Sequence, residues 1–289
     1  TLGILVPPSV PLVIYAILTE QNIAKLFAAA MIPALIAVAG YVCAIAIYVR
    51  LVPGQAPEHD EAPPLTWQLS RGVLPIVVIF AIVFGGIYGG WFTPTEGAAV
   101  GAAATFVAAL LRRELTLRSL AQCFYGTATA SAMIFMIFLG ADLMNSALAL
   151  TQVPRELAAT VQGWGLPPLA VVGGIVLMFV VLGMVMDELS VILLTVPILF
   201  PLVMGLELGL PPEGQAIWFG ILVLMTVGFG LLSPPVGLNV YIVNSMARNL
   251  PIAESYRGVL PFLASDALRT LLLLLVPAVS LWLVGVIYD

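Results

Sequence analysis

A carboxylate inside an apolar run constrains the fold of this chain more than any other feature. Asp187 lies in the stretch Gly183-Met-Val-Met-Asp-Glu-Leu-Ser190, with runs of Val, Leu and Ile on both sides. The chain is 62% hydrophobic and 9% charged, and its mean hydropathy is +1.14. These values are typical of a polytopic, all-α membrane protein. A carboxylate at membrane depth is costly, so Asp187 is a candidate functional residue.

A second interruption follows in Ser233-Pro-Pro-Val-Gly-Leu-Asn239. Proline removes a backbone donor and clashes with the preceding turn, so an apolar helix breaks here. In lipid, a broken backbone is tolerated only inside protein or beside a wet cavity. We therefore expect the two stretches to face each other and to hold a cation and a substrate near the midplane of a secondary transporter.

Oxygen is the ligand that a hard cation such as sodium prefers, and it comes here from backbone carbonyls and from Asp, Ser and Asn side chains. The predicted cation-binding residues are Gly183, Asp187, Ser190, Ser233, Gly237 and Asn239. No other metal and no organic cofactor is expected. An alternative remains open for each group: Asp187, Ser233 and Asn239 as helix caps, and Pro234-Pro235 as a packing kink.

Other function classes find little support in the composition. The ten basic residues are scattered, so nucleic-acid binding is not expected. Cys43 and Cys123 lack metal or redox spacing, and His59, the only histidine, lies in a polar segment. A membrane-embedded enzyme is disfavoured because the spans carry no nucleophile–base pair and no metal motif.

The chain divides into two predicted repeats joined by a cytoplasmic linker. Residues 1–50 are interpreted as the end of a first repeat, with a broken helix at 1–17 and a span at 32–50. The linker covers 51–72, and the second repeat covers 73–289. In order, the second repeat contains spans 74–91, 97–111 and 120–150, an interfacial helix 154–164, a hairpin 166–204, a broken helix 215–246 and a span 271–287. Each arm of the hairpin is near or below the ~20 residues needed to cross a bilayer, so it is predicted to be re-entrant.

The repeats are recognised from two similar breaks. Gly3-Ile-Leu-Val-Pro7-Pro8-Ser9 and Gly230-Leu-Leu-Ser-Pro234-Pro235 share the pattern G-x-x-x-P-P. Inverted-repeat transporters place their sites at such broken helices, so Pro7, Pro8, Ser9, Pro234 and Pro235 are predicted to border the substrate site. The hairpin of the first repeat is expected upstream of Thr1, which would make this chain the C-terminal part of a longer protein.

Charge predicts the orientation of these spans. With Arg50 in the cytoplasm, eight of the ten basic residues fall on that side, and only Lys25 and Arg155 fall outside. The cytoplasmic set is Arg50, Arg71, Arg112, Arg113, Arg118, Arg248, Arg257 and Arg269. This bias follows the positive-inside rule only if the hairpin enters and leaves on the outer side.

Thr93-Pro-Thr-Glu96 is predicted to be a helix start, with Thr93 as N-cap, proline at the first position and Glu96 completing a capping box. A ligand role for these residues is the less favoured alternative.

Four motifs together resemble the large membrane subunit of tripartite ATP-independent periplasmic (TRAP) transporters, an ion-transporter family. They are the first Pro-Pro break, the segment from Gly89 to Ala99, the hairpin tip and the second Pro-Pro break. The resemblance covers essentially the whole chain, in the family's order. The chain departs from the family pattern at Glu188, where a small or apolar residue is usual, which leaves an altered site or an extra salt bridge open.

The resemblance implies a multi-pass permease of the bacterial inner membrane that takes up small organic acids by sodium symport and an elevator mechanism. The implied substrates are C4-dicarboxylates, sialic acid or similar carboxylates. A periplasmic substrate-binding protein and a small four-helix membrane subunit are the implied partners, together with the lipid bilayer. The alternative is a stand-alone ion-coupled carboxylate transporter or ion antiporter of related fold.

Overall fold

The computed structural model describes residues 2–51, 67–113, 115–246 and 251–288. These residues form α-helices and no strand. In chain order the helices are Leu2–Leu5 (α1), Val10–Thr19 (α2), Ile23–Leu51 (α3), Trp67–Tyr88 (α4), Pro94–Leu111 (α5), Leu117–Thr151 (α6), Val153–Gly163 (α7), Pro168–Gly183 (α8), Glu188–Met204 (α9), Pro212–Gly230 (α10), Leu238–Met246 (α11), Ile252–Leu275 (α12) and Ala278–Tyr288 (α13).

Among the described residues, five helices are long and apolar enough to cross a membrane: α3, α5, α6, α10 and α12. This confirms the prediction of an all-α, multi-pass membrane protein. The hairpin helices α8 and α9 have 16 and 17 residues, fewer than the ~20 that span a bilayer. The re-entrant path of this hairpin stays a prediction.

The chain folds as two compact units. Residues 54–134 form one unit, and residues 1–53 together with 135–289 form the other. All of the residues predicted for the cation and substrate sites belong to the larger unit.

Helix α10 is the core of the larger unit. It is apolar on all sides, which is typical of a helix buried within protein, and it packs against α8, α9, α3 and α12. Two of its polar side chains form buried hydrogen bonds: the indole Nε1 of Trp218 donates to the Leu273 carbonyl at 2.8 Å. Likewise, Nε2 of Gln215 donates to the Val203 carbonyl at 2.7 Å.

The first broken helix docks on this core through Tyr15. Its hydroxyl donates to the Ala216 carbonyl at 2.7 Å, and its ring covers the Cα of Gly220, leaving no room there for a Cβ. Tyr15 also meets Phe200 of α9 edge to face, with ring centroids 6.4 Å apart. Helix α2 therefore packs against both α9 and α10.

Helix α3 packs against α12 and α13, and a buried polar cluster joins α3 to α12. The Tyr41 hydroxyl donates to Oδ2 of Asp266 at 2.8 Å. Oδ1 of Asp266 lies 3.0 Å from Nη1 of Arg269, and both side chains are buried. Arg269 was assigned to the cytoplasmic side because it directly precedes the predicted span 271–287. That assignment was wrong, since Arg269 lies deep within the continuous helix α12.

Several helix boundaries differ from those expected. Helix α3 begins at Ile23 and continues through Pro33, rather than starting at 32. The predicted span 271–287 is divided between α12 and α13, because Pro277 has no backbone N–H and cannot continue the α12 hydrogen-bond ladder beyond Val276. Of the predicted linker 51–72, residues 52–66 lie outside the described residues, and α4 already begins at Trp67.

In the smaller unit, α4 and α5 pack against each other. Gly86, Gly97 and Gly101 allow this contact, since a Cβ on any of them would press on Phe92, Ile87 or Val83. The predicted capping box at the start of α5 is confirmed. The Thr93 backbone N–H donates to the Glu96 carboxylate at 2.7 Å, and the Glu96 backbone N–H donates to the Thr93 hydroxyl at 3.3 Å.

Candidate functional site

The hairpin tip is a four-residue turn between α8 and α9, closed by Asp187. Asp187 is the N-cap of α9, and its carboxylate accepts hydrogen bonds from the backbone N–H and the hydroxyl of Ser190. The Asp187 side chain is exposed, while Ser190 is half-buried. Capping and cation binding are compatible here, because a carboxylate has about four lone-pair positions and Ser190 occupies two.

The hairpin tip contacts the second interrupted helix directly. The backbone N–H of Gly237 donates to the Met184 carbonyl at 3.2 Å. Behind this bond, α8 and α10 approach so closely at Gly183 and Gly230 that neither position has room for a side chain. A Cβ on Gly183 would lie 2.8 Å from the Val227 carbonyl oxygen, and one on Gly230 would lie 2.6 Å from the Val180 carbonyl oxygen. Glycine at both positions is required for the tip to reach the break.

The break itself spans residues 231–237, between α10 and α11. Pro234 and Pro235 have no N–H, so the carbonyls of Gly230 and Leu231 lose their normal helical donors. The Gly230 carbonyl accepts instead from the Ser233 backbone N–H at 2.8 Å, and the Leu231 carbonyl accepts from the Asn239 backbone N–H at 3.2 Å. Much of the backbone at the break is thus paired by local rearrangement.

Side chains complete the environment of the break. The buried Ser233 hydroxyl donates to the Phe229 carbonyl at 2.9 Å, and Gly237 has a φ of +55°, where glycine is favoured. From α12, the Tyr256 hydroxyl lies 2.9 Å from the Pro235 carbonyl oxygen and 2.6 Å from that of Val236. Tyr256 was not among the predicted site residues, because nothing local in the sequence shows that α12 returns to the break.

The first break has the same plan. Helices α1 and α2 flank Val6-Pro7-Pro8-Ser9, and the Pro-Pro bond of each break, Pro7-Pro8 in the first and Pro234-Pro235 in the second, is cis. Ser9 is the N-cap residue of α2, but its side chain makes no capping hydrogen bond. The Ser9 hydroxyl is buried and has no hydrogen-bond partner in the described part of the chain. A buried hydroxyl without a partner is costly, which makes Ser9 a candidate ligand contact.

Glu188 is the unexpected member of the hairpin tip. Its side chain is 5% exposed, and neither carboxylate oxygen has a hydrogen-bond partner. Among the residues that the structure describes, Glu188 therefore forms no salt bridge. The salt bridge that was one interpretation of Glu188 is thus not found among the described residues, and the altered site stays a prediction.

The structure thus brings five of the six predicted cation-site residues to one place by direct contacts. Gly183 packs on α10, Asp187 binds Ser190, Gly237 binds the tip, and Ser233 lies within the same break. Asn239, the sixth, is tied to the break by its backbone N–H. Pro7, Pro8 and Ser9 lie in the same compact unit, on the helix pair that packs against α9 and α10.

A multi-pass helical chain in which a hairpin tip rests on an interrupted helix has the architecture of a membrane transport protein. The family model described as "Tripartite ATP-independent periplasmic transporter, DctM component" matches residues 1–279. The chain belongs to this family, which consists of transporters rather than enzymes. It is a multi-pass protein of the bacterial inner membrane.

Curated relatives agree with this assignment. The chain is 34% identical over 97% of its length to the C4-dicarboxylate TRAP transporter large permease protein DctM of Pseudomonas aeruginosa, and covers 64% of that protein. It is 31% identical over 91% of its length to the sialic acid TRAP transporter large permease protein SiaM of Vibrio cholerae, covering 60% of it. It is 28% identical over 98% of its length to the isethionate TRAP transporter permease protein DctMQ of Oleidesulfovibrio alaskensis, covering 44% of it. The chain thus spans less than two thirds of the length of these relatives.

Proposed function

We propose that this chain forms the transport core of a sodium-coupled permease that takes up small organic acids. The observation that carries the proposal is the hydrogen bond between the Gly237 backbone N–H and the Met184 carbonyl. This bond holds a hairpin tip with an exposed carboxylate against a helix whose backbone is broken. Such a junction offers oxygen ligands to a cation within a membrane protein.

The proposed cation ligands come from Gly183, Asp187, Ser190, Ser233, Gly237 and Asn239. Asp187 supplies the negative charge, and backbone carbonyls and side-chain oxygens supply the remaining ligands. The hydroxyls of Ser190 and Ser233 donate their protons to Asp187 and to the Phe229 carbonyl. Their oxygen lone pairs therefore remain available to a cation, which suits a hard ion such as sodium.

The proposed substrate site lies beside the two breaks, at Pro7, Pro8, Ser9, Pro234 and Pro235. Helix N-termini favour anionic groups, and Ser9, the N-cap residue of α2, has a buried hydroxyl without a hydrogen-bond partner among the described residues. The relatives are named for C4-dicarboxylate, sialic acid and isethionate. A small organic acid is the substrate class consistent with this site.

The proposed transport cycle moves the hairpin and both broken helices as one body. Tyr15 supports this, because its buried hydrogen bond and ring contacts attach α2 to α10 and α9. We propose that a periplasmic binding protein delivers the substrate and that a small four-helix membrane subunit completes the permease, as the family assignment implies. The elevator mechanism belongs to the same proposal.

The test is uptake of radiolabelled C4-dicarboxylate or sialic acid into proteoliposomes that contain the full-length permease, its small subunit and its binding protein. Asp187→Asn keeps the shape and capping ability of the side chain but removes its charge. We expect the sodium concentration for half-maximal uptake to rise several-fold, because the cation loses its anionic ligand.

Glu96→Gln is the matched control. It neutralises a carboxylate at another helix N-terminus that is not part of the proposed site, and it should leave the sodium dependence unchanged. Unaltered sodium dependence in folded Asp187→Asn protein would show that Asp187 is only a helix cap. Uptake by the parent protein without any sodium gradient would contradict sodium coupling itself.

A further inference from the structure

An apolar groove of about 510 Å³ runs between α3 and α12. Its walls are almost entirely hydrocarbon, and the two helices approach closely where Gly40 leaves room for Ser265. The lining side chains on which the argument rests are Ile36, Cys43, Ile47, Leu51, Pro261 and Leu272. In a membrane protein, a groove of this composition is suited to a hydrocarbon chain.

The segment that forms α12 and α13 runs antiparallel to α3, because Nζ of Lys25, near the start of α3, lies 5.5 Å from the Tyr288 ring centroid at the end of α13, whereas the middle of α3 contacts α12. The Tyr41 ring lies 5.0 Å from the Phe262 ring, and the Tyr41 hydroxyl binds Asp266 on the next turn of α12. Continuing this register, Ile36 lies level with Arg269, which lines the inner end of the groove, and Leu51 lies level with the N-terminal part of α12. The groove therefore runs from the interior of the larger unit to the end of α3 that carries Arg50.

Two exposed arginines mark that end of the groove. Arg50 follows the lining residue Ile47 by three positions on α3, and Arg257 precedes the lining residue Pro261 by four positions on α12. Residues three or four apart share a helix face, so both arginines border the groove mouth. Glu254, also exposed, lies one turn before Arg257 and reduces the positive charge there.

We propose that this groove binds an anionic phospholipid, with an acyl chain between α3 and α12 and its phosphate between Arg50 and Arg257. Basic residues at the membrane surface attract anionic headgroups, and arginine binds phosphate in a bidentate manner. The apolar walls alone would accept any lipid, so the arginines supply the selectivity. The charge distribution of the chain predicts that this lipid belongs to the cytoplasmic leaflet.

Native mass spectrometry of the delipidated full-length transporter, titrated with phosphatidylglycerol or phosphatidylcholine, measures the selectivity. We expect several-fold stronger retention of phosphatidylglycerol by the parent protein. Arg50→Gln with Arg257→Gln should abolish the preference, and Glu254→Gln should increase it. Arg118→Gln, which removes one positive charge from a helix that does not line the groove, is the control and should leave the preference intact.

Cys43 allows the lipid to be located, because it lines the groove and is exposed. With the other cysteines replaced, a bimane on Cys43 should be quenched more strongly by dibrominated phosphatidylglycerol than by dibrominated phosphatidylcholine in mixed vesicles. This difference should vanish in the double arginine variant. Equal quenching by the two lipids in the parent would overturn the proposal. Absence of quenching by either lipid would also overturn it, since a protein segment would then cover the groove.

Discussion

At the scale of single residues, the hairpin tip can reach helix α10 only because Gly183 has no side chain. Gly183 faces the backbone of Val227 and Gly230, and those atoms belong to the buried helix α10, which cannot move aside easily. Alanine normally stabilises a helix relative to glycine. Here the steric cost exceeds that gain, because the added methyl group meets backbone and not a flexible side chain.

We predict that Gly183→Ala lowers stability by about 1–3 kcal/mol, the range typical of overpacked sites, and lowers uptake strongly. A thermal unfolding midpoint measured in detergent, together with uptake in proteoliposomes, checks both parts. Gly174→Ala on the same helix is the matched control, because nothing lies within 4 Å of a Cβ at that position. Equal behaviour of the two variants would show that the close approach of α8 and α10 is not required.

Glu188 shows a different kind of residue-scale constraint. A buried carboxylate whose oxygens have no partner is costly, and such a residue is retained only where something offsets its cost. Its neighbour Asp187 is exposed and satisfied by Ser190. Of the two adjacent carboxylates, Glu188 is therefore buried and Asp187 is exposed. This difference in environment indicates different roles at the hairpin tip.

At the scale of the helical elements, the second break is held together by substituted hydrogen bonds. Ser233 and Asn239 supply the N–H groups that Pro234 and Pro235 cannot supply. Tyr256 then lies against the carbonyls of the break from α12. The interruption is consequently an ordered element whose backbone groups have their own hydrogen-bond partners.

We predict that Pro234→Ala with Pro235→Ala reduces uptake more than it reduces expression. Two new backbone donors would compete for the Gly230 and Leu231 carbonyls, extend α10 and draw Gly237 away from Met184. Uptake normalised to the amount of purified protein is the measurement. Pro277→Ala, at the α12–α13 break outside the proposed site, serves as the control and should retain uptake. Full uptake by the double variant would mean that the break has no role in transport.

The elements that could be predicted from sequence are those where local chemistry is unusual for a membrane. Asp187 and the Pro-Pro pairs of the two broken helices stand out against apolar surroundings. Thr93 and Glu96 have the spacing of a capping box. Tyr15 and Tyr256 could not be placed, because their partners lie far away along the chain. Arg269 was misplaced because the last span was predicted to begin at residue 271, whereas α12 runs through that position, from Ile252 to Leu275.

At the scale of the whole molecule, an ion pair supports the predicted orientation. Nζ of Lys25 lies 2.6 Å from Oε1 of Glu213. The charge distribution predicts that Lys25 and residues 205–214, which follow the hairpin, lie on the outer side of the membrane, and the contact agrees in placing Lys25 and Glu213 on the same side. Without Arg269, seven basic residues are assigned to the cytoplasmic side and two, Lys25 and Arg155, to the outer side, so the direction of the charge bias is unchanged.

We predict that a cysteine at Glu213, in a protein without its native cysteines, reacts with a membrane-impermeant maleimide in intact spheroplasts. A cysteine at Arg118 should react only after the membrane is permeabilised, because that segment is predicted to be cytoplasmic. The reverse pattern would invert the topology. Labelling of both positions from the cytoplasmic side would contradict the re-entrant path of the hairpin.

The buried pair of Asp266 and Arg269 has a consequence for how this chain enters the membrane. An isolated Asp or Arg at the centre of an inserting helix costs about 2.5–3.5 kcal/mol. Because these residues are three positions apart, they share one face of α12 and neutralise each other within that helix. The helix can therefore leave the translocon as an electrically neutral segment before α3 is in place. The hydrogen bond from Tyr41 then forms during later helix association, so insertion of α12 does not depend on the order in which its neighbours assemble.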